Sequence, residues 1–474
     1  MMKLLAFLPA MSMRIVSIAW FTLVMVLPNL ARAGEFKAGA AAVVITPPVG
    51  LPRGGAYSLV RSVGVIEPLH AKAIVIEQGG EKAAFVALDV AYTPRTLVEA
   101  ARKLITEQTG IAGERVMISA THTHSGPVLT RGNMMDAITG ANTPQVVDYM
   151  SKLITLIAKA VADANAKLAP ANSSVAMGHE EHLSFNRRFV MKDGTFSWLG
   201  PRLSKNIARP AGPIDPDVGV WKLTSVGKPA KPLATYVNFA MHPTVIGGNK
   251  WSPDYPGYLG RRLAEYFGPE MLTFFANGCC GNVNQVNVNW AAAQNGPAAA
   301  ERVGTMLGAA VFRALPELEL QQTFAPRVRS KLITLQRRTF TDEEIAEARG
   351  MAPHITDSKH SIPARAKAVC ILDTIEKQDT PLEVEVQVIA ISDSLAIVAL
   401  PGEMFVELGL ALKQASPFKH TFIAELANGS IGYIPNRSAY PEGLYEVVSA
   451  RGAEGSGELL VEEAVKMLKE IAKP

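Results

Sequence analysis

The stretch Val116-Met117-Ile118-Ser119-Ala120-Thr121-His122-Thr123-His124-Ser125-Gly126-Pro127 starts as a short apolar run and ends in two histidines, a glycine and a proline. An apolar run of this length bounded by turn residues reads as a buried strand. Side chains alternate faces along an extended chain, so His122 and His124 are expected to point the same way. Two imidazoles on one face can share a metal, or one can bind while the other moves protons; the same spacing also suits an ordinary polar strand end. Ligands in open α/β sheets sit in crevices beyond strand ends, which makes this the place to look for chemistry.

Outward from this run, further short apolar segments read as strands over residues 71–77, 83–88, 115–120, 234–240, 271–276 and 395–400. Helical periodicity lies between them over 96–109, 144–168, 258–267, 298–315 and 459–471. Strands alternating with helices predict an α/β architecture, a mixed β-sheet core flanked by helices. Residues 382–400 alternate through a turn at Asp393 and read as a hairpin, so part of the sheet is expected to be antiparallel. No internal repeat or linker-like stretch interrupts residues 34–474, which read as one large domain.

Two other strand ends repeat the pattern of the first. Tyr236-Val237-Asn238-Phe239-Ala240-Met241-His242-Pro243 ends in a histidine, and Ala396-Ile397-Val398-Ala399-Leu400-Pro401-Gly402-Glu403 ends in a carboxylate. A lone histidine before proline is often structural, and a glutamate there can serve as a helix cap. The turn-rich tail Asn428-Gly429-Ser430-Ile431-Gly432-Tyr433-Ile434-Pro435, with Tyr440 and Tyr445 beyond it, carries nothing that by itself makes its tyrosines ligands. Taken together, two histidines and a carboxylate form a catalytic zinc set with positions left for water and substrate, and point to a mononuclear zinc hydrolase. His354 and His360 read as solvated, and His70, His179, His182 and His420 as structural or surface groups.

Composition sets the boundaries of this reading. With 48% hydrophobic and 19% charged residues, the 474-residue chain is globular rather than disordered. Residues 1–33 read as a signal peptide: basic Lys3 and Arg14, an apolar run from Ile15 to Leu27, and Ala31-Arg32-Ala33 as a cleavage site. The run is shorter than the roughly 20 residues of a membrane span, so no stable transmembrane segment is expected in the mature chain, which would be periplasmic or secreted. That segment carries Lys3, Arg14 and Arg32 and no acid, so the net charge of +4 falls to +1 without it. Such a balance excludes nucleic acid as a partner attracted by bulk charge. Three cysteines, Cys279, Cys280 and Cys370, are too few for a disulfide scaffold; a bridge from Cys370 to one of the adjacent pair and three unpaired buried thiols are both compatible with the sequence.

Thr121-His122-Thr123-His124-Ser125-Gly126-Pro127 resembles the signature loop of the neutral, non-lysosomal ceramidases. Ile45-Thr46-Pro47-Pro48-Val49-Gly50, Asn186-Arg187, Phe239-Ala240-Met241-His242-Pro243, Pro401-Gly402-Glu403-Met404-Phe405 and Tyr445-Glu446 agree with that family in order. The resemblance implies one zinc per chain, held by His122, His242, Glu403 and Tyr433. It also implies that His124 handles the proton, that Tyr445 donates to the developing oxyanion, and that Arg187 lies in the substrate pocket. The expected activity is cleavage of the amide bond of ceramide or a similar N-acyl lipid.

Two departures bear on the substrate. The family's Gly-Asp-Val-Ser-Pro-Asn loop reads Gly281-Asn282-Val283-Asn284-Gln285 here, so Asn284 cannot be a hydroxyl nucleophile, although its amide can still orient substrate or water. The familiar ceramidases also continue into an immunoglobulin-like C-terminal domain, which this sequence is expected to lack. Alternatives are a zinc hydrolase of the same ancestry acting on another N-acyl compound or an ester, and a non-catalytic periplasmic binding protein.

Overall fold

The computed structural model describes residues 34–473. The expected signal peptide, residues 1–33, lies outside the described residues.

Two sheets pack face to face. The larger has nine strands; eight run in the order Leu272–Asn277, Pro232–Phe239, Asp217–Ser225, Ala169–His179, Lys37–Val44, His70–Gln78, Glu81–Leu88, Val116–Ala120, and Glu319–Leu320 joins Ala169–His179 from the side. The smaller has Thr323–Leu335, Leu382–Ser392, Leu395–Ala399 and His420–Ala424. Between them lies an apolar layer including Phe85, Trp221, Tyr236, Phe274, Ile389, Ile397 and Phe422. Gly219 is a point of close approach, since a Cβ there would sit 2.6 Å from the Phe422 ring.

Helices close both outer faces. Arg95–Thr109 and Pro144–Ala166 cover one half of the large sheet, and Tyr255–Phe267 and Pro297–Ala314 cover the other. Val406–Ala415 and Ser456–Ala472 cover the small sheet, giving four layers in the order helix, sheet, sheet, helix. Local signals set the helix ends: Pro144 opens one helix, Gly110 at φ 71° stops another, and Asp254 caps Tyr255. Among the described helices none is long and apolar enough to cross a membrane.

The expected mixed α/β core is present. The 382–400 hairpin forms as read, with Leu382–Ser392 antiparallel to Leu395–Ala399. The strands missed include Lys37–Val44 and Ala169–His179, which are poor in β-branched residues, and also Asp217–Ser225, Thr323–Leu335 and His420–Ala424, which are not. All three cysteines are buried and free, which selects the unpaired alternative.

Within the two packed sheets most strand pairs are antiparallel, and three are parallel: Glu81–Leu88 with Val116–Ala120, Pro232–Phe239 with Leu272–Asn277, and Leu395–Ala399 with His420–Ala424. The residues that follow these six strands meet in one place. Thr121 and His122 donate their amides to Leu88 and Val90, His124 to Pro243, Gly278 to Phe239, Leu400 to Ala424, and Ala120 to Leu426. Both sheets thus deliver their parallel carboxyl ends to a single cluster of loops.

Candidate metal centre

Three acceptor atoms converge in that cluster. His122 Nε2 lies 3.0 Å from His242 Nε2, and Glu403 Oε2 lies 3.4 Å from the first and 3.3 Å from the second. The other ring nitrogens face backbone carbonyls, His122 Nδ1 at 2.6 Å from Ala91 O and His242 Nδ1 at 2.9 Å from Cys280 O. Those carbonyls require an N–H, so each Nδ1 donates and each Nε2 presents a lone pair. Two lone pairs and a carboxylate oxygen then face one another at hydrogen-bond distance with no proton to share. Glu403 Oε2 is accordingly a buried oxygen without a hydrogen-bond partner.

A cation resolves this arrangement. Ligand bonds of about 2.0 Å in a tetrahedron give ligand–ligand edges of about 3.3 Å, which matches all three separations. Orientation of ligating histidines by carbonyls is also the usual outer shell of a zinc site. Electrostatics agree: burial pushes the His242 pKa down to about 4, with the charges of Arg187 and His122 adding to it and Glu403 opposing. Burial alone would raise Glu403, but the two histidines outweigh it and hold its carboxyl well below the usual range.

Cys280 Sγ also comes within 4.8 Å of ligand atoms of His122 and His242. It lies on the wrong side of the ring, 3.2 Å from His242 Nδ1, and donates to Glu425 Oε1 at 2.8 Å. Burial and Glu425 raise its thiol pKa well above the ordinary value, so the thiolate a metal needs is disfavoured. Of the two, Glu403 has the geometry and charge that a third ligand would need.

Strand alternation is not what brings His122 and His124 together. The strand ends at Ala120, and His122 takes φ 70°, a left-handed conformation uncommon outside glycine. That turn still leaves His124 Nε2 3.4 Å from His122 Nε2. Burial, then His122 and His242, pull the His124 pKa well below the ordinary histidine value.

Tyr433 and Glu403 are bridged as parallel backbone partners, and the Tyr433 ring stacks 6.4 Å from His242 at 14°. Its hydroxyl accepts from Arg187 Nη2 at 3.2 Å, while Arg187 also donates to Glu446 Oε1 and Gly281 O, both at 2.8 Å. Arg187 thus braces Tyr433 from behind. Tyr445 packs across Tyr433 with ring centroids 5.3 Å apart and shares a 3.4 Å hydroxyl contact with Tyr57. Asn284 pairs with Phe185, and its Oδ1 accepts from Val286 N at 2.9 Å in a tight turn.

A cavity of about 120 Å³ opens onto His122, His124, Glu403, Tyr433 and Tyr445. Neither Arg187 nor Asn284 is among its described walls, which instead include Tyr57, Arg131 and Arg451. Sequence reading missed these three and also Glu425, whose Oε2 accepts the amides of Cys280 and Met404 and so ties two ligand loops together. No local signal marked them, because each acts through contacts remote in sequence.

Two glycines let the ligand loops touch. A Cβ on Gly281 would lie 2.5 Å from Glu403 O, and one on Gly402 would lie 2.5 Å from Gly432 O. Neither backbone atom can yield cheaply, so Gly281→Ala is expected to displace Glu403 and weaken metal binding by about 10- to 100-fold, the range for disturbed outer-shell support. Chelator competition would measure it; wild-type affinity in a folded variant would show that the loop contact does not position the ligand.

No family model and no curated protein matches the sequence. Solved structures do. Neutral ceramidase from Pseudomonas aeruginosa superposes with a TM-score of 0.70 at 20% identity, covering 92% of this chain and 75% of that one. A structure described as a ceramidase complexed with C2 superposes with a TM-score of 0.67 at 18% identity, covering 92% and 76%. The two packed sheets and their helices therefore form a neutral ceramidase-like fold.

Proposed function

We propose that the protein is an exported zinc-dependent amidohydrolase that cleaves the N-acyl bond of ceramide or a ceramide-like lipid to a fatty acid and an amine. The observation that carries this reading is the convergence of His122 Nε2, His242 Nε2 and the unpartnered Glu403 Oε2 within 3.4 Å of one another at the end of a cavity. His122, His242, Glu403 and Tyr433 would hold one zinc ion. When bound, zinc lowers the pKa of water toward neutrality and polarises a carbonyl oxygen.

The remaining chemistry falls to side chains of the cavity. His124, kept neutral by burial and its histidine neighbours, has a free lone pair to take a proton from the attacking water. It then returns that proton to the leaving nitrogen, because an amine does not depart as an anion. Burial, with Tyr57 and Tyr433 beside it, holds the Tyr445 pKa well above the ordinary phenol value. Tyr445 therefore stays protonated and can donate to the oxyanion. Arg187 supports Tyr433 from outside the cavity.

A second reading, hydrolysis of another N-acyl compound or an ester by the same residues, is favoured by two observations. Asn284 supplies no hydroxyl and has its amide oxygen engaged locally. The cavity, at about 120 Å³, is smaller than the 300–1,000 Å³ typical of drug-sized ligands, so alkyl chains would have to leave through its mouth.

Fluorescent ceramide and N-acyl amino acids, with released fatty acid as the readout, test the activity and separate the two readings. Turnover of neither would overturn both. Tyr445→Phe is expected to lower kcat by about 100-fold, the scale of one lost oxyanion donor, with zinc content unchanged. An undiminished kcat would remove Tyr445 from the scheme.

A further inference from the structure

We infer that the substrate carries an anionic group, of carboxylate type, which Arg131 and Arg451 hold in the same cavity. This rests on the hydrolase reading above and selects its second form, since ceramide itself carries no anionic group. Both arginines line the cavity together with His124, Tyr57 and Tyr445.

Arg131 is held ready but has no acid of its own. Its guanidinium lies 3.4 Å over the Tyr92 ring, and the Tyr92 hydroxyl is itself anchored by donating to Leu129 O at 2.7 Å. Among the described residues its side chain makes no ion pair. The carboxylate closest in sequence, Asp136, accepts the backbone amides of Arg131, Gly132 and Asn133, so its oxygens are occupied by the loop. A cation stacked on a ring with its N–H edge free suits an incoming carboxylate.

Arg451 is partly engaged and still carries excess charge. Nε donates to Asp373 Oδ2 at 2.7 Å and Nη1 to Ile431 O at 3.3 Å, while Asp373 also pairs with Lys377 at 3.1 Å. One carboxylate is thus shared by two cations. Nη1 lies 3.1 Å from where a Cβ on Gly432 would sit, which places this guanidinium beside the residue preceding Tyr433. Tyr57 links the two ends: its hydroxyl touches Tyr445, and both arginines oppose the burial that raises its pKa.

Of the acids on the cavity wall, Glu403 faces the histidines and Asp136 faces backbone amides, leaving positive charge toward the substrate. A neutral lipid amide would desolvate these cations without compensation, whereas a carboxylate pairs with them.

The test uses the zinc-loaded full-length mature protein and a pair of ligands that cannot be hydrolysed, 4-oxononanoate and 4-oxononanamide, the ketone isosteres of N-hexanoylglycine and its amide. By calorimetry, the acid is expected to bind about 10- to 100-fold more tightly, the worth of a charge-assisted hydrogen bond. Arg131→Gln, at an exposed position where folding is not at stake, and Arg451→Gln should each reduce that preference. Equal binding of the two ligands, or a preference unchanged in both variants, overturns the inference. Hexanoate release from N-hexanoylglycine is read in parallel. Acid preference without release sinks the hydrolase reading and leaves the anion site standing; equal turnover and equal binding of acid and amide do the reverse.

Discussion

Glu403→Gln is expected to lower amide hydrolysis by more than about 100-fold and to weaken zinc binding to match, since even outer-shell partners of metal ligands are worth 10- to 100-fold. The change keeps the side chain's shape and removes its charge. That charge, with the two histidine lone pairs 3.0 Å apart, is what a bound cation would answer. The comparison that gives the result its meaning is Cys280→Ser. If the third ligand is Glu403, the cysteine variant keeps its zinc; if it is the thiol, the two outcomes exchange. Hydrolysis rates and zinc retention measured on both variants decide between the two donor sets.

Glu385→Ala is expected to destabilise the fold by about 3–5 kcal/mol, the cost of leaving a buried charge without its partner. Glu385, 2% exposed, receives Arg102 Nη1 and Nη2 at 2.8 and 2.9 Å, Ser330 Oγ at 2.8 Å, and Arg95. It thereby ties helix Arg95–Thr109, on the large sheet, to two strands of the small one. Asn428 extends the tie, donating to Gln387 at 2.8 Å and accepting the amide of Ile118 at 3.0 Å.

The pH dependence of this term has a definite sign. Burial would raise the Glu385 carboxyl, but the hydrogen bonds and charge of Arg102, then Ser330 and Arg95, hold it below the ordinary value. A depressed carboxyl stabilises the fold above its unfolded pKa of about 4.3 and loses that contribution as pH falls through the folded value. The stability gap between wild type and Glu385→Gln in urea titrations should therefore be full at neutral pH and shrink in acid. A gap independent of pH would mean that Glu385 acts through packing alone.

The sequence made the strand-end candidates visible because His122, His242 and Glu403 each closely follow an apolar run, and parallel strands deliver such ends to one crevice. It did not reveal that two sheets contribute, since nothing in Leu395–Ala399 says which sheet it joins. Strands such as Lys37–Val44 stayed hidden because their small residues answer a packing need rather than a β preference: a Cβ on Gly39 would sit 2.1 Å from Ala164 O. Tyr433 and Tyr445 emerged only through resemblance, their local sequence being indistinguishable from packing. Arg131, Arg451 and Glu425 were illegible for a related reason, as each is defined by groups far along the chain.

The most direct test of the central claim is an anomalous-difference map at the zinc edge from crystals of residues 34–474 grown without chelator. A single strong peak bonded to His122 Nε2, His242 Nε2 and Glu403 Oε2 is the result this account requires. Protein that takes up no zinc, or a peak ligated by Cys280 with Glu403 turned away, would contradict it.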